Sequence, residues 1–370
     1  MCRILNVIDL FAGCGGLSLG FIQASFAIDK AVEIDPTIAN TYMLNHTSTK
    51  MFVDDISHLV ENDIFRQDES DVIIGGPPCQ GFSMAGARIR KGFVDDPRNY
   101  LFKQYFNVVR KVKPMAFVME NVKGLMTMQH GELFKEILKI FSDSNALDGI
   151  AYDVNYKIVK AIDFGVPQKR ERLVIVGSRK KVSNFDELID LTKEEIRKQY
   201  PNYFDMVTVR DAIGNLPEVT DSGKVKNPKP QTAYQQYLAT TSPILTNHNK
   251  TKHSTIAIDR MSRVANGANF TSLKEKINSV HSGSYGRLCW DEPAATITTR
   301  FDTPAGGRFT HPDENRTLSP REAARIQSFP DDFIFHGNRS SVCKQIGNAV
   351  PPKISYFLAR LVENILRSEH

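Results

Sequence analysis

Cys79 is the residue whose sequence context first suggests covalent chemistry. It lies in the run GGPPCQGFS at residues 75–83, directly after the apolar stretch DVII at 71–74. Because proline fixes φ and glycine adopts angles closed to other residues, this run predicts a stiff, sharp turn after a strand. A thiol presented from such a turn is a candidate nucleophile. The alternative is a small buried apolar residue, which is the common fate of a lone cysteine.

A glycine-rich loop near the N-terminus predicts a ligand site. The sequence DLFAGCGGLSLGF at 9–21 follows a strand-like run and opens a helix-like one. It places Gly13, Gly15 and Gly16 where the backbone turns tightly and a ligand can approach. About 20 residues farther on, Glu33 ends a strand-like segment, where its carboxylate could accept hydrogen bonds from both hydroxyls of a ribose. The alternative for Glu33 is a solvated strand end.

The ligand that this loop predicts is an adenosine derivative without phosphates. GxGG replaces the dinucleotide fingerprint GxGxxG, and the sequence contains no evident loop for a diphosphate. S-adenosyl-L-methionine is such a ligand. Phe11 could then lie against the adenine ring, although core packing explains this residue equally well. Asp55, in FVDDIS, is a weaker candidate for a hydrogen bond with the adenine amino group.

The elements that must position these residues form an α/β pattern. Short β-branched runs alternate with helix-like stretches, which predicts a doubly wound, mostly parallel sheet of Rossmann-like type. The predicted strands are Val7–Leu10, Lys30–Ile34, Val72–Ile74, Ala116–Met119, Tyr156–Ile162 and Leu173–Gly177. The predicted helices include Leu17–Ala24, Pro36–Asn45, Tyr100–Lys111 and Glu132–Phe141.

The regular alternation is lost in the second half of the chain. A long stretch there is rich in Thr, Ser, Asn, Pro and Gly. Loops of such length are uncommon within a compact domain. We therefore predict a small irregular domain at 181–320, inserted into a catalytic and cofactor-binding domain formed by 1–180 and 321–370. Regularity returns at Ser319, a predicted helix cap followed by proline, and continues into an amphipathic C-terminal helix.

Composition narrows the class of protein without identifying it. The 370 residues are 41% apolar, which is enough for a substantial core. The five cysteines form neither a CxxC pair nor a metal-type cluster with histidine, so we expect no disulfide framework and no metal. The net charge of +5 permits a polyanionic partner without requiring one. No apolar run reaches the roughly 20 residues that span a bilayer, and we expect a cytoplasmic, intracellular monomer with no membrane partner.

Six segments resemble, in their order, the DNA (cytosine-5)-methyltransferases of prokaryotic restriction–modification systems. They are DLFAGCGGLSLGF, GGPPCQGFS, MENV at 119–122, PQKRERL at 167–173, REAARIQSFP at 321–330 and QIGNAVPP at 345–352. The resemblance implies a Rossmann-like fold that depends on S-adenosylmethionine. It also implies that the poorly matched segment 181–320 is the target-recognition domain of this family.

The resemblance assigns a reaction to Cys79. In the family this cysteine adds to carbon 6 of cytosine, and carbon 5 of the resulting enamine takes the methyl group of S-adenosyl-L-methionine, leaving S-adenosyl-L-homocysteine. Glu120 matches the acid near ring nitrogen 3 and should carry or share a proton when the base is bound. Arg172 would support the base carbonyl and hold Glu120, with Arg170 in a supporting catalytic role. The alternative for both arginines is a solvated charge run.

The other family positions imply cofactor contacts. Pro77 and Leu101 are expected to touch the cofactor or the base. Asn348 is expected to line the cofactor or to hold the loop that carries Cys79. With Phe11, the three loop glycines, Glu33 and Asp55, they complete the predicted cofactor-binding set.

A cytosine inside a duplex must be flipped out before a thiol can reach its ring. The glycine-rich, basic stretch from Gln80 to Asn99 predicts a loop that closes over DNA, the alternative being an ordinary surface loop. In the predicted insert, 285–309 mixes Arg, Thr, Trp and Gly in a way that suits groove contacts, although Trp290 could equally belong to a core. The predicted DNA-binding residues are Gln80, Ser83, Arg88, Arg90, Arg98, Arg287 and Arg300.

The sequence thus predicts an enzyme that methylates carbon 5 of cytosine in a specific double-stranded DNA sequence. It would protect host DNA beside a separately acting restriction endonuclease, or act as an orphan. A transfer-RNA cytosine-5 methyltransferase is the nearest alternative, and the long insert argues for DNA. A non-catalytic DNA-binding protein is another, against which the intact Cys79, Glu120 and Arg172 count. A nicotinamide-dependent dehydrogenase would share the fold but not the GxGG loop.

Overall fold

A computed structural model of the chain describes residues 3–78, 100–275, 277 and 281–367. The chain divides into two compact units. The first comprises Met1–Val159, Glu171–Gln199 and Ser355–His370, and the second comprises Lys160–Arg170 and Tyr200–Ile354. In the described part of the chain, no helix is both long and apolar enough to cross a membrane.

The first unit is built on a seven-stranded sheet. Its strands are β1 (Asn6–Leu10), β2 (Ala27–Glu33), β3 (Lys50–Val53), β4 (Val72–Gly75), β5 (Ala116–Val122), β6 (Asp153–Lys160) and β7 (Glu171–Ser178). Its helices include α1 (Gly16–Gln23), α2 (Pro36–Asn45), α3 (Ile56–Glu61), α4 (Tyr100–Val112), α5 (Glu132–Ser142) and α6 (Phe185–Gln199).

The strand order of this sheet is β3-β2-β1-β4-β5-β7-β6. The neighbouring pairs from β3 to β5 are parallel, whereas β7 runs antiparallel to β5. The prediction of a doubly wound, mostly parallel sheet is confirmed. Chain order reverses between β1 and β4, and in open sheets of this kind ligands bind outside the carboxyl ends of the strands at such a point.

Local sequence explains why these elements form where they do. The apolar run of β4 is buried on both faces, as expected for a central parallel strand. Helix α2 begins where the Asp35 carboxylate accepts hydrogen bonds from the backbone N–H groups of Thr37 and Ile38, with Pro36 at its first position. Aromatic residues fill the core against the sheet, including Phe117 and Phe141 with ring centroids 4.4 Å apart.

The second unit has less regular structure. It contains α7 (Val209–Ile213), α8 (Ala233–Leu238), α9 (Thr255–Ser262), α10 (Pro320–Ile326), α11 (Arg339–Asn348) and a two-stranded sheet of β8 (Val225–Lys226) and β9 (Ile244–Leu245). The predicted cap at Ser319 is confirmed, because its side chain and that of Glu322 form a capping box at the start of α10.

The C-terminal helix α12 (Pro352–Arg367) begins in the second unit and continues in the first. Its predicted apolar face is buried at Ile354, Phe357, Leu358, Leu361, Val362 and Ile365. The Ser355 hydroxyl donates to the carbonyl of Leu17 in α1. A Cβ added at Gly20 would lie 2.3 Å from the backbone nitrogen of Tyr356, so a glycine is needed where α1 and α12 meet.

The compact units do not follow the predicted domain bounds. Residues 181–199 belong to the first unit, and 321–354, with α10 and α11, belong to the second. The assignment of 181–320 to target recognition concerns function and stays a prediction.

Candidate active site

The loop after β1 adopts the backbone angles that its glycines allow. Gly13 and Gly15 have φ values of 57° and 93°, and Phe11 itself has a φ of 58°. A Cβ added at Gly15 would lie 2.1 Å from Nε2 of His46, which packs behind the loop. A Cβ added at Gly13 would meet no described atom within 4 Å. The loop is therefore closely packed at Gly15 and open at Gly13, while Gly16 begins α1.

Glu33 ties this loop to the end of β2. Its Oε2 accepts a hydrogen bond of 3.0 Å from the backbone N–H of Gly13, and its Oε1 accepts one of 2.9 Å from that of Asp35. Burial is the largest cause that raises the pKa of this carboxyl. The backbone N–H of Ile34 also donates to this carboxylate. An ionised carboxylate offers about four acceptor sites, so Glu33 keeps capacity to accept from a further hydroxyl.

The other predicted cofactor residues of the first unit lie at the carboxyl ends of strands or in the following helices. Phe11 is half-buried and packs against the core, so it combines packing with an accessible ring. Oδ1 of Asp55 accepts from the backbone N–H and the hydroxyl of Ser57, which caps α3 and lowers the pKa of Asp55. Pro77 is buried after β4, and Leu101 is half-buried in the first turn of α4.

Sequence reasoning missed a buried polar group behind the loop. Ser18 donates to Oδ2 of Asp9 over 2.6 Å and lies 2.7 Å from the hydroxyl of Tyr42, whose ring packs on His46. Burial is the largest cause that raises the pKa of Asp9 to about 7 and lowers that of His46 to about 4. An aspartate in the apolar strand before the glycines was the available signal.

Ile34 is a second residue that sequence reasoning passed over. It follows Glu33 directly and is 64% exposed, although it is a large apolar side chain at the end of β2. An exposed isoleucine beside the Glu33 carboxylate, which is predicted to bind the ligand, offers apolar surface on which a flat ring could pack.

The antiparallel strand β7 brings Arg172 to Glu120. Val122 pairs with Arg172 and Glu120 pairs with Val174, so the two side chains are diagonal neighbours across the strands. Nε of Arg172 lies 3.1 Å from Oε1 of Glu120. The second carboxylate oxygen lies beside the turn after β4, since a Cβ added at Gly76 would be 3.2 Å from Oε2. The structure thus brings together three of the segments that carry the family resemblance: GGPPCQGFS, MENV and PQKRERL.

The nucleophile itself and the predicted DNA-closing loop lie outside the described residues. This applies to Cys79, Gln80, Ser83, Arg88, Arg90 and Arg98. The described turn ends at Pro78, and the carbonyl of Pro77 accepts a hydrogen bond from the side chain of Asn121. Asn121 was not singled out by sequence reasoning, although it stands in the MENV segment.

Arg170 lies in the second unit and donates hydrogen bonds to backbone carbonyls. It is 1% exposed. Nη1 donates to the carbonyls of Ile297 and Gly347, and Nη2 donates to that of Ala349. These contacts lie on both sides of Asn348, which is exposed at the end of α11. This placement favours a supporting role for Arg170, through the segment that carries Asn348.

The structure gives the two predicted DNA-binding arginines of 285–309 different surroundings. Arg287 is 5% exposed, and its five N–H groups point to protein oxygens. The acceptors are the carbonyls of Met261, Val264, His311, Pro312 and Glu314 and the side chain of Asn315. The prediction that Arg287 contacts DNA is therefore corrected: its guanidinium is buried, and its N–H groups are used by hydrogen bonds within the protein. Arg300 is exposed, and its contact with DNA stays a prediction.

Comparison with known proteins identifies the family. Residues 5–364 match the family model described as C-5 cytosine-specific DNA methylase. The chain belongs to this family. It is 36% identical over 366 residues to the type II methyltransferase M1.HphI of Haemophilus parahaemolyticus, covering 98% of this chain and 87% of that protein. It is 32% identical to M.DdeI of Desulfomicrobium norvegicum, covering 97% and 88% of the two chains.

Solved structures agree with this assignment. A chain described as a DNA modification methyltransferase encoded within an Escherichia coli prophage superposes with a TM-score of 0.75 at 30% identity, covering 98% of this chain and all of that one. Schizosaccharomyces pombe Dnmt2 superposes with a TM-score of 0.61 at 18% identity, which shows the fold alone.

These findings confirm the predicted family, the Rossmann-like methyltransferase fold and the enzyme class. The protein is a DNA (cytosine-5-)-methyltransferase, and the relatives named above are type II methyltransferases. DNA is therefore the substrate class, and the transfer-RNA alternative is not supported. Within the described residues, no group of three or more His, Cys, Asp or Glu side chains could hold a metal ion.

Proposed function

We propose that this methyltransferase moves the methyl group of S-adenosyl-L-methionine to carbon 5 of a flipped-out cytosine, in a specific duplex sequence, through a covalent adduct with Cys79. The observation that carries the proposal is the position of Glu120. It is paired with Arg172 and lies beside Gly76, three residues before Cys79 in the chain. An acid on β5, beside the turn that leads from the adjacent parallel strand β4 toward Cys79, suits a ring that is attacked at one atom while negative charge builds at another.

The residues at the carboxyl ends of β1 to β3 fit S-adenosyl-L-methionine. Glu33 keeps capacity to accept from a ribose hydroxyl, and the loop is open at Gly13. Phe11 and Ile34 offer apolar surface for adenine, and Oδ2 of Asp55 is left to accept from its amino group. When bound, this cofactor supplies a methyl group on a positively charged sulfonium. No diphosphate site is needed, in agreement with the GxGG loop.

The chemical role proposed for the protein is to make carbon 5 of cytosine nucleophilic. The thiolate of Cys79 adds to carbon 6, and the displaced π electrons are stabilised by a proton that Glu120 holds at ring nitrogen 3. Carbon 5 of the enamine then takes the methyl group. A base removes the proton from carbon 5, the double bond between carbons 5 and 6 reforms, and the thiolate leaves.

The two arginines of the QKRER segment have separate proposed tasks. Arg172 holds the Glu120 carboxyl through Nε and contacts the oxygen of the base, for which planar guanidinium donors are suited. Arg170 positions Asn348 by gripping the backbone on either side of it. Asn348 would then line the cofactor, and Leu101 and Pro77 would contact the cofactor or the base.

The proposed substrate side is double-stranded DNA. Extruding a cytosine costs a few kcal/mol, and groups from the segment 80–99 and from the insert, such as Arg300, would repay this cost. Type II relatives favour a biological role in protecting host DNA beside a separate endonuclease. We place the protein with that DNA inside the cell, acting as a monomer.

Mechanism-based trapping tests the proposal. Duplex DNA in which cytosine is replaced by 5-fluorocytosine should form an adduct with the protein that survives denaturation, because fluorine at carbon 5 cannot leave as a proton. Cys79→Ser should abolish this adduct while cofactor binding, measured by calorimetry, is retained. An undiminished adduct in Cys79→Ser would reject Cys79 as the nucleophile. Methylation-aware sequencing of DNA from cells that express the protein should report one modified motif.

A further inference from the structure

The turn that precedes Cys79 cannot be held by the usual strand contacts. Gly75 is the last residue of β4 in register with β5, opposite Met119. Pro77 and Pro78 follow, and proline has no backbone N–H with which to continue the ladder. The carbonyl groups of this segment are therefore the backbone atoms through which the sheet can hold it. Pro77 is buried, so its carbonyl needs a partner within the protein.

Asn121 supplies that partner. Its Nδ2 donates to the carbonyl oxygen of Pro77 over 3.0 Å, and the side chain is 9% exposed. Its Oδ1 accepts from the backbone N–H of Val122 over 2.8 Å, which fixes the amide group with its donor toward Pro77. Both ends of the amide group thus make a hydrogen bond. The side chain of Asn121 therefore fixes the position of the Pro77 carbonyl relative to β5.

Asn121 belongs to a strand that is paired with its neighbour in the sheet. Asn121 lies opposite Leu173 in the antiparallel pairing of β5 with β7, one residue after Glu120. On the other side, the turn comes close to Glu120 at Gly76, where a Cβ would lie 3.6 Å from the Glu120 carbonyl. The turn is thus packed against Glu120 at Gly76 and tied to the next residue of the same strand at Pro77.

We propose that Asn121 is a positioning residue that sets the place of the Cys79 thiol relative to Glu120. Only Pro78, whose ring restricts the backbone, separates the tethered Pro77 from Cys79. Errors of about 1 Å in the placement of a reacting group can cost roughly 100-fold in rate. This inference rests on the proposed function, since it takes Cys79 as the nucleophile. Asn121 acts through the turn, by its hydrogen bond with the carbonyl of Pro77.

Two substitutions and a matched control test this role. Asn121→Asp keeps the acceptor for Val122 but replaces the donor by an oxygen that repels the Pro77 carbonyl. Asn121→Ala removes the donor without adding charge beside Glu120. Asn62→Asp is the control, because Nδ2 of Asn62 also donates to a backbone carbonyl, that of His58, at the exposed end of α3.

The measurements separate positioning from loss of structure. For each protein we would record kcat for methyl transfer, KM for DNA, the rate of adduct formation with 5-fluorocytosine DNA, the Kd for S-adenosyl-L-homocysteine and the melting temperature. Both Asn121 variants should lose at least tenfold in kcat and in the adduct rate, with KM, Kd and melting temperature near those of the wild type. Asn62→Asp should keep its kcat. If Asn121→Asp does not fold, Asn121→Ala carries the test.

The proposal is overturned if kcat of Asn121→Ala stays within twofold of the wild type. It is also overturned if Asn62→Asp loses as much kcat as the Asn121 variants, or if the Asn121 variants change only KM. A readout independent of the reaction is the rate at which iodoacetamide alkylates Cys79 in the free enzyme, followed by peptide mass spectrometry. If the wild type forms no adduct, the proposed function fails. In that case a changed alkylation rate in both Asn121 variants still supports Asn121 as the residue that places the thiol, and an unchanged rate rejects it.

Discussion

At the scale of single residues, Glu120 is defined by what lies beside each of its two oxygens. Oε1 is 3.1 Å from Nε of Arg172, and Oε2 lies beside Gly76, where any side chain would crowd it. The carboxyl is thus oriented by a guanidinium on one side and by the turn toward Cys79 on the other. This geometry suits a group that holds a proton at one fixed point on the base.

Glu120→Gln should lower kcat for methyl transfer by about 100-fold or more, because a positioned acid contributes roughly 10²–10⁴ to such steps and an amide cannot transfer the proton. The melting temperature and the Kd for cofactor should change little. Incorporation of labelled methyl groups into DNA measures the effect. Glu69→Gln, which removes the partner of Lys30 in another ion pair of the same unit, is the control and should retain activity. Equal kcat in Glu120→Gln and the wild type would contradict the assignment.

At the scale of elements, the glycine-rich loop after β1 depends on α2 as much as on its own glycines. The ring of His46, the residue that caps the C-terminus of α2, occupies the space beside Gly15, and its burial keeps the imidazole neutral by lowering its pKa to about 4. Gly15 therefore needs a positive φ, and the ring of His46 leaves no space there for a side chain.

Gly15→Ala should destabilise the protein by about 3 kcal/mol or more, because a left-handed alanine and an overpacked contact each cost energy. It should also weaken binding of S-adenosyl-L-homocysteine at least tenfold. Gly149→Ala is a matched control, since Gly149 has the same φ of 93° but a Cβ there would meet no described atom within 4 Å. Urea denaturation should give about 1 kcal/mol for this control. An equal loss in both variants would show that His46 adds nothing.

The start of α12 contains a buried lysine that links stability to pH. Lys353 is 2% exposed, with its ammonium 4.2, 4.7 and 5.6 Å from the rings of Tyr203, Tyr237 and Tyr234. Burial lowers the pKa of Lys353 to about 7, while the charge of Asp205 acts in the opposite direction. The folded state therefore favours the neutral amine.

Between pH 7 and the ordinary lysine pKa of 10.5, the unfolded chain holds a proton that folded Lys353 lacks. The free energy of unfolding should therefore rise as pH increases from 7 to 9, by at most about 1.4 kcal/mol per pH unit. Below pH 7 both states are protonated and this dependence ends. Lys353→Met should remove the rise, and Lys229→Met, at an exposed lysine of the same unit, should keep it. Denaturation curves from pH 6 to 9 measure this, and identical slopes in Lys353→Met and the wild type would refute it.

At the scale of the whole molecule, arginine side chains have two different surroundings that the sequence does not distinguish. Buried arginines such as Arg287 and Arg170 satisfy backbone carbonyls in the less regular second unit. Exposed arginines such as Arg300 remain available to a polyanion. A unit with few helices and strands has many carbonyl groups to satisfy, and a guanidinium with five donors can satisfy several at once.

Arg300→Ala and Arg287→Ala should therefore fail in different ways. Arg300→Ala should weaken DNA binding and reduce by about 1 the slope of log affinity against log salt, with the melting temperature unchanged. Arg287→Ala should lower the melting temperature, because it leaves buried carbonyls unpaired. Fluorescence anisotropy at several salt concentrations and thermal melting measure the two effects. An unchanged melting temperature in Arg287→Ala would contradict its role as an internal tie.

The sequence by itself determined the features that depend on residues close together in the chain. Apolar periodicity, glycine and proline located the strands before the glycine loop and before the Cys79 turn, the bounds of α2 and the cap at Ser319, and the ordered motifs indicated the family. These predictions succeeded because a few neighbouring residues decide backbone angles, helix starts and strand burial.

Only the tertiary structure decided which distant residues meet. The antiparallel direction of β7 brings Arg172 to Glu120, the end of β5 brings Asn121 to Pro77, and the fold of the second unit buries Arg287 while leaving Arg300 exposed. Strand direction, register and the burial of a charged side chain are set by contacts between segments far apart in sequence. No local pattern distinguishes an arginine that will bind carbonyl groups from one that will meet a phosphate.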